Sequence, residues 1–285
     1  MIFPDENSSQ LHIAIELAVV SSEQRLNRVR GESEAMRFQL FVTISLLLSV
    51  LAAGELQGQV NDGSSANHVF AQFADGRFSD ESFYRSTLMV SSDNQNATNC
   101  TATLYGLTVT GFGDGIRRYF TVNSGGWNIY KSPGSQTFGG GYLTLNCSLP
   151  VTAQILYSFF SSSGIVISEA TVFSSPPATY AQLLADQRGA AQLGIAIANA
   201  GNTTKEFVVV AIDATDTEIG RRSVQIAGRS QTASFLNELI SLPGDYVGQV
   251  MIYTNSGETL DVYAIGLRFT GGAFTTIPVT LRTPR

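Results

Sequence analysis

"ILYSFFSSSGIVISEATVF", residues 155–173, and "VYAIGLRFTGGAFTTIPV", residues 262–279, are two versions of one pattern. Each is an apolar run, a turn of small residues and a second apolar run. Gly271-Gly272 can take the positive φ angles of a tight hairpin, which β-branched residues resist. Ser162-Ser163-Gly164 fills the same place in the earlier stretch. Pro278 offers no N–H to a ladder, so the last strand is expected to end there or to lie at a sheet edge. Both stretches read as hairpins that finish a sheet and do no chemistry.

The doubling extends outward from these hairpins. Residues 86–106, "STLMVSSDNQNATNCTATLYG", parallel residues 193–213, "LGIAIANAGNTTKEFVVVAID". Residues 140–157 parallel 247–265, and "HVFAQFADGR" (68–77) parallels "TYAQLLADQR" (179–188). Similar offsets, all between about 105 and 111 residues, mark an internal repeat. The predicted units are 60–175 and 176–285, joined at Ser174-Ser175-Pro176-Pro177. Within each, apolar residues alternate with polar ones: Leu88 and Val90, Leu143 and Leu145, Ile195 and Ile197, Val250 and Ile252. Period two marks half-buried antiparallel strands. The expected fold is all-β, with two tandem immunoglobulin-like β-sandwiches. One helix is predicted, over "SQTASFLNELI" (230–240), capped by Ser230 or Thr232 and stopped by Pro243-Gly244.

The strand–Asn/Gly turn–strand stretches "VSSDNQNATNCTATLYG" and "IANAGNTTKEFVVVAIDATDTEIG" resemble bacterial adhesion-type Ig-like modules. The "LRFTGGAFTTIPV" ending resembles secreted bacterial tandem-repeat proteins of uncharacterised function. The resemblance covers most of 65–279. It implies a secreted β-sandwich protein and brings no catalytic residues with it.

The segment beginning at Met36, "MRFQLFVTISLLLSVLAAGELQGQ", sets the compartment. Arg37 is a basic n-region, 38–51 an apolar h-region, and Ala52-Ala53-Gly54 supply small residues for cleavage. The apolar run is shorter than the roughly 20 residues that span a bilayer. Residues 36–54 are therefore read as a secretory signal peptide, and 1–35 as a mis-assigned or helical extension. If Met1 is the start, the same segment would be a short anchor.

The chain has 285 residues and a net charge of −6, with charged residues at only 14%. Arg117-Arg118 and Arg221-Arg222 are its only adjacent basic pairs, and Lys131 and Lys205 its only lysines. Binding nucleic acid needs clustered cations to neutralise phosphates, so that class is excluded.

Cys100 and Cys147 are the only cysteines. They share parity with Ala102 and Leu104, and with Leu143 and Leu145, so both point toward one core. In an Ig-like order the third strand runs beside the sixth, and secretion supplies an oxidising compartment. A disulfide is expected, and closing its loop stabilises the fold by roughly 4 kcal/mol in the chain-entropy model.

Beyond the signal segment His68 is the only histidine, and no G-x-S-x-G elbow, H-E-x-x-H or P-loop is present. His68 reads as a strand residue, and the protein as a non-enzyme. Asp213, Asp216 and Glu218 ("DATDTE") lie in a predicted hairpin loop, where carboxylates can hold Ca²⁺ or simply solvate a turn. No cofactor is otherwise expected. "SGGWNIYKSPG" (124–134) holds the only tryptophan, Trp127, and Tyr130, aromatic faces able to stack on sugar rings. Trp127 shares parity with Ile129, so the strand face that carries both can equally be core.

The expected function is a secreted or cell-surface protein with a structural, adhesion or interaction role and an extracellular protein or glycan partner. The alternatives are a carbohydrate-binding protein and an extracellular hydrolase of unrecognised type.

Overall fold

The structure, a computed structural model, describes residues 64–255 and 262–282. The segments read as extension and signal peptide lie outside the described residues. Strands β1–β16 make up nearly all the regular structure described, and every pairing between them is antiparallel.

The first half forms one seven-stranded sheet. Its strands are β1 (Ser64–Arg77), β2 (Phe83–Ser91), β3 (Thr98–Tyr105), β4 (Arg117–Val122), β5 (Trp127–Lys131), β6 (Gly139–Phe160) and β7 (Val166–Phe173). β6 is the spine. Its first part lies between β1 and β3, with Leu143 opposite both Phe70 and Leu104. Its second part lies between β2 and β7, with Ile155 opposite both Leu88 and Val172. The change of partners coincides with a break in the β1–β6 register between Ser65 and Asn67. Across that break β6 advances from Asn146 to Val151 and passes Pro150, whose missing N–H suits a bulge.

The second half comprises β8 (Tyr180–Asp186), β9 (Gln192–Asn199), β10 (Lys205–Asp213), β11 (Glu218–Ile226), β12 (Ser230–Phe235), α1 (Leu236–Leu239), β13 (Val247–Thr254), β14 (Tyr263–Thr270), β15 (Ala273–Ile277) and β16 (Thr280–Arg282). They form a five-stranded sheet, β11-β10-β13-β8-β16, and a four-stranded sheet, β12-β9-β14-β15.

The central strands of the four-stranded sheet, β9 and β14, are buried on both faces. Along "LGIAIAN" of β9, Leu193, Ile195 and Ile197 enter a core shared with Leu183, Phe207, Val209 and Ile252 of the five-stranded sheet. The alternate residues Ala196 and Ala198 enter the core of the first half, together with Ile265, Leu267 and Phe274. A strand buried on both sides reads as a continuous apolar run, as β9 does. The described residues accordingly form one compact unit.

The predicted helix over 230–240 needs correction. Residues 230–235 are strand β12, paired with β9 from Ser230 opposite Asn199 to Phe235 opposite Gly194. Only Leu236–Leu239 are helical, entered where Glu238 Oε2 accepts the Phe235 N–H at 2.9 Å. The ladder to β9 outweighs the weak helix preference of a Ser- and Thr-rich start. The closing hairpin is as expected. Thr270 faces Ala273 across a two-residue turn, and β15 is an edge strand that ends one residue before Pro278.

Candidate functional site

Cys100 and Cys147 lie directly opposite each other on β3 and β6 and are joined by a disulfide. Cys100 is buried beside Ala102 and Leu104, as its parity requires. The bond links neighbouring strands of one sheet and does not bridge two layers.

His68 is buried, and its Nε2 lies 2.9 Å from the carbonyls of Ser65 and Val151, tying the start of β1 to β6. Burial holds its pKa below the usual histidine value. Both contacts are to backbone, so this ring holds strands together.

The three carboxylates of "DATDTE" fall in the β10–β11 hairpin but are turned to separate tasks. Asp213 Oδ1 accepts from the Thr215 hydroxyl at 2.7 Å and from the N–H groups of Thr215 and Thr217 at 2.8 and 2.9 Å. The Thr215 and Thr217 hydrogen bonds hold its pKa below the ordinary carboxylate range. Glu218 pairs with the guanidinium of Arg221. Asp216 occupies the left-handed turn position, φ +64°. Among the described residues no group of three His, Cys, Asp or Glu side chains converges as a metal site.

Trp127 and Tyr130 separate. They differ by three positions on one strand, so they lie on opposite faces. Trp127 is 72% exposed and Tyr130 only 8%. The Tyr130 ring packs edge-on to Phe112 at 4.9 Å under the Arg118 guanidinium. Burial, then the nearby Asp75 carboxylate, pushes its pKa up to about 12. A two-ring sugar platform is therefore ruled out at this place.

What Trp127 does join is a row assembled from four strands. Register sets Ile129 beside Met89, Met89 beside Gln154, and Gln154 beside Phe173. Trp127 stands one pleat along, opposite Ser91, which in turn faces Thr152. Ile129 and Phe173 are each 48% exposed. A shallow groove of about 260 Å³ runs along this outward face between Trp127, Ile129, Met89 and Gln154. Single exposed apolar residues are ordinary, whereas here several lie side by side on one face. The sequence shows Trp127 and Ile129 on one face. Met89, Gln154 and Phe173 come from distant strands, and only the register brings them in.

Among the described residues, no helix is long and apolar enough to cross a membrane. No family model and no curated protein matches the chain. A solved structure of a protein from Parabacteroides distasonis ATCC 8503, assigned as secreted, is 10% identical to it. The alignment covers 72% of this chain and 81% of that one at a TM-score of 0.18, a likeness that carries no argument.

Proposed function

We propose that this chain is an exported, non-catalytic binding protein that presents the outward face of β5-β2-β6-β7 to a protein partner, a second copy of the chain. The observation that carries this reading is the row of exposed Trp127, Ile129 and Phe173 with half-buried Met89 between them, on a sheet whose other face is core. The Cys100–Cys147 disulfide supports export, since such bonds persist in oxidising compartments. We read the two halves as copies of one unit. The order β4-β3-β6-β1 recurs as β11-β10-β13-β8, and β5-β2-β6-β7 recurs as β12-β9-β14-β15. The continuous β6 of the first copy corresponds to the consecutive strands β13 and β14 of the second. In this reading each unit is immunoglobulin-like in the broad sense of two antiparallel layers on one core, and the first alone carries a disulfide, within a layer.

A second reading is a glycan partner. It is favoured by the uncharged hydroxyl and amide side chains of Ser91, Thr152 and Gln154 on the same face as the Trp127 ring. One experiment separates the two. Wild type and the Trp127→Ser/Ile129→Ser variant are compared by sedimentation velocity and on a glycan array. Both residues are exposed, so the change in stability is within about 0.5 kcal/mol. The protein reading expects concentration-dependent association of the wild-type chain, weakened at least tenfold in the variant. A glycan signal lost in the variant would replace it with the sugar reading. Behaviour identical in both proteins would leave the face without a role.

A further inference from the structure

A second concavity lies on the other side of the molecule's logic, where β1 and β6 of the first half meet β9, β12 and β14 of the second. It has a volume of about 300 Å³, the lower end of the range of about 300–1,000 Å³ typical of small-molecule sites. Its origin is legible in β9. The face of β9 turned to the first half carries Gly194 and Ala196, where the opposite face carries Leu193, Ile195 and Ile197. A Cβ at Gly194 would come within 3.2 Å of the Phe269 ring, so any larger residue there would begin to fill the space. Phe235 and Phe269 form an edge-to-face pair at 5.5 Å in the wall.

The polar groups are few and fixed. At one side Gln72 Oε1 accepts from Gln231 Nε2 at 2.7 Å, and Gln72 also pairs with the buried Tyr157 hydroxyl. Among the described residues Glu238 is the only charged one lining the cavity, and no Lys or Arg does. Its carboxylate is held in place by the Phe235 N–H and is exposed to solvent. Aromatic walls with one carboxylate at the rim favour a cation over an anion, because ring faces and the acid both attract positive charge.

From this geometry we infer that the cavity binds a small arylalkylamine of one or two rings, its ring against Phe235 and Phe269 and its ammonium group toward Glu238. This site is separate from the Trp127 face and does not depend on it.

The test uses the full chain at neutral pH with tryptamine, indole and indole-3-acetate, which share a ring and differ in charge. Saturation-transfer NMR detects binding, and calorimetric titration gives Kd. Tryptamine is expected to bind roughly fivefold more tightly than indole-3-acetate, the scale of an ion pair open to solvent. Glu238→Gln keeps an acceptor for the Phe235 N–H, since Glu and Gln serve alike at that position. It should level the three probes to within about twofold. Ala233→Trp, at an exposed lining position on the edge strand β12, should fill the cavity and weaken every probe at least tenfold, with circular dichroism confirming the fold. No saturation transfer to any probe at millimolar concentration would overturn the inference. So would equal affinities in the wild type, a charge ranking that survives Glu238→Gln, or a folded Ala233→Trp variant that binds as the wild type does.

Discussion

Asp75 is an acid placed where acids are rarely found. It is fully buried on β1, and its Oδ1 accepts the Gly134 N–H at 2.8 Å. Among the described residues its Oδ2 has no hydrogen-bond partner. Burial raises its pKa against the opposing pull of Ser132, the Gly134 N–H and Arg85. The sign follows from linkage. A carboxyl whose folded pKa lies above the unfolded one is easier to ionise in the unfolded chain, so stability is lost as pH rises from the unfolded to the folded value and then levels off. Asp75→Asn keeps the acceptor for Gly134 and removes the charge. We expect it to melt higher than the wild type at pH 7, with the gap closing as pH falls toward 3. Thermal melts of both proteins across that range check this, and a gap independent of pH would refute it. None of this is visible in the sequence. Asp75 sits in "FADGR", a stretch that reads as a strand running into a polar turn, and its burial comes from the loop at 132–134 closing over it. Parity was more informative for the cysteines, whose neighbours at two-residue spacing showed which way they point.

Among the elements, turns were easier to read than strand partners. Gly271 sits at φ +61°, and Gly272 is not in the left-handed region, the pattern of a type II′ hairpin. The strain of a side chain therefore falls on the first glycine. A Cβ at Gly271 would meet nothing within 4 Å, so the cost of a substitution there is conformational and not steric. Gly271→Val should lower stability by about 1–3 kcal/mol, the scale of a β-branched residue held at positive φ. Gly272→Ala, whose Cβ would only touch Ile167 at 3.4 Å, should cost less than half as much. Chemical denaturation of the two variants measures the difference, and equal losses would contradict the turn assignment. β12 escaped the sequence because its residues, "SQTASF", are neither strongly alternating nor apolar. Its identity as a strand is set by β9, a partner about 35 residues away. The outward row at Trp127 escaped for the same reason, since each of its members looks ordinary until the register lines them up.

At the scale of the whole molecule, a repeat read from the sequence suggests two beads, but burial is not divided that way. The four-stranded sheet gives one face to each core, so removing the first half would bare Ala196, Ala198, Ile265, Leu267 and Phe274 together. Burying each of the three larger side chains contributes about 1.5–3 kcal/mol. Their sum is comparable with the roughly 5–15 kcal/mol by which a typical domain is stable at all. Phe274 is further tied across the junction, its N–H donating to Ser168 Oγ of β7 at 2.9 Å. A fragment of residues 176–285 should therefore fail to fold alone, and the full chain should unfold in a single transition. Native-state hydrogen exchange gives the sharper reading. Amides of Leu143 and Leu145 in β6 and of Val209 and Ala211 in β10 lie in different cores. If the halves open together, these amides share one opening free energy within about 0.5 kcal/mol, that of global unfolding. Protection of β10 that outlasts β6 by more than about 2 kcal/mol, or a folded 176–285 fragment, would mean that the second core stands without the first and that the shared sheet is only a contact.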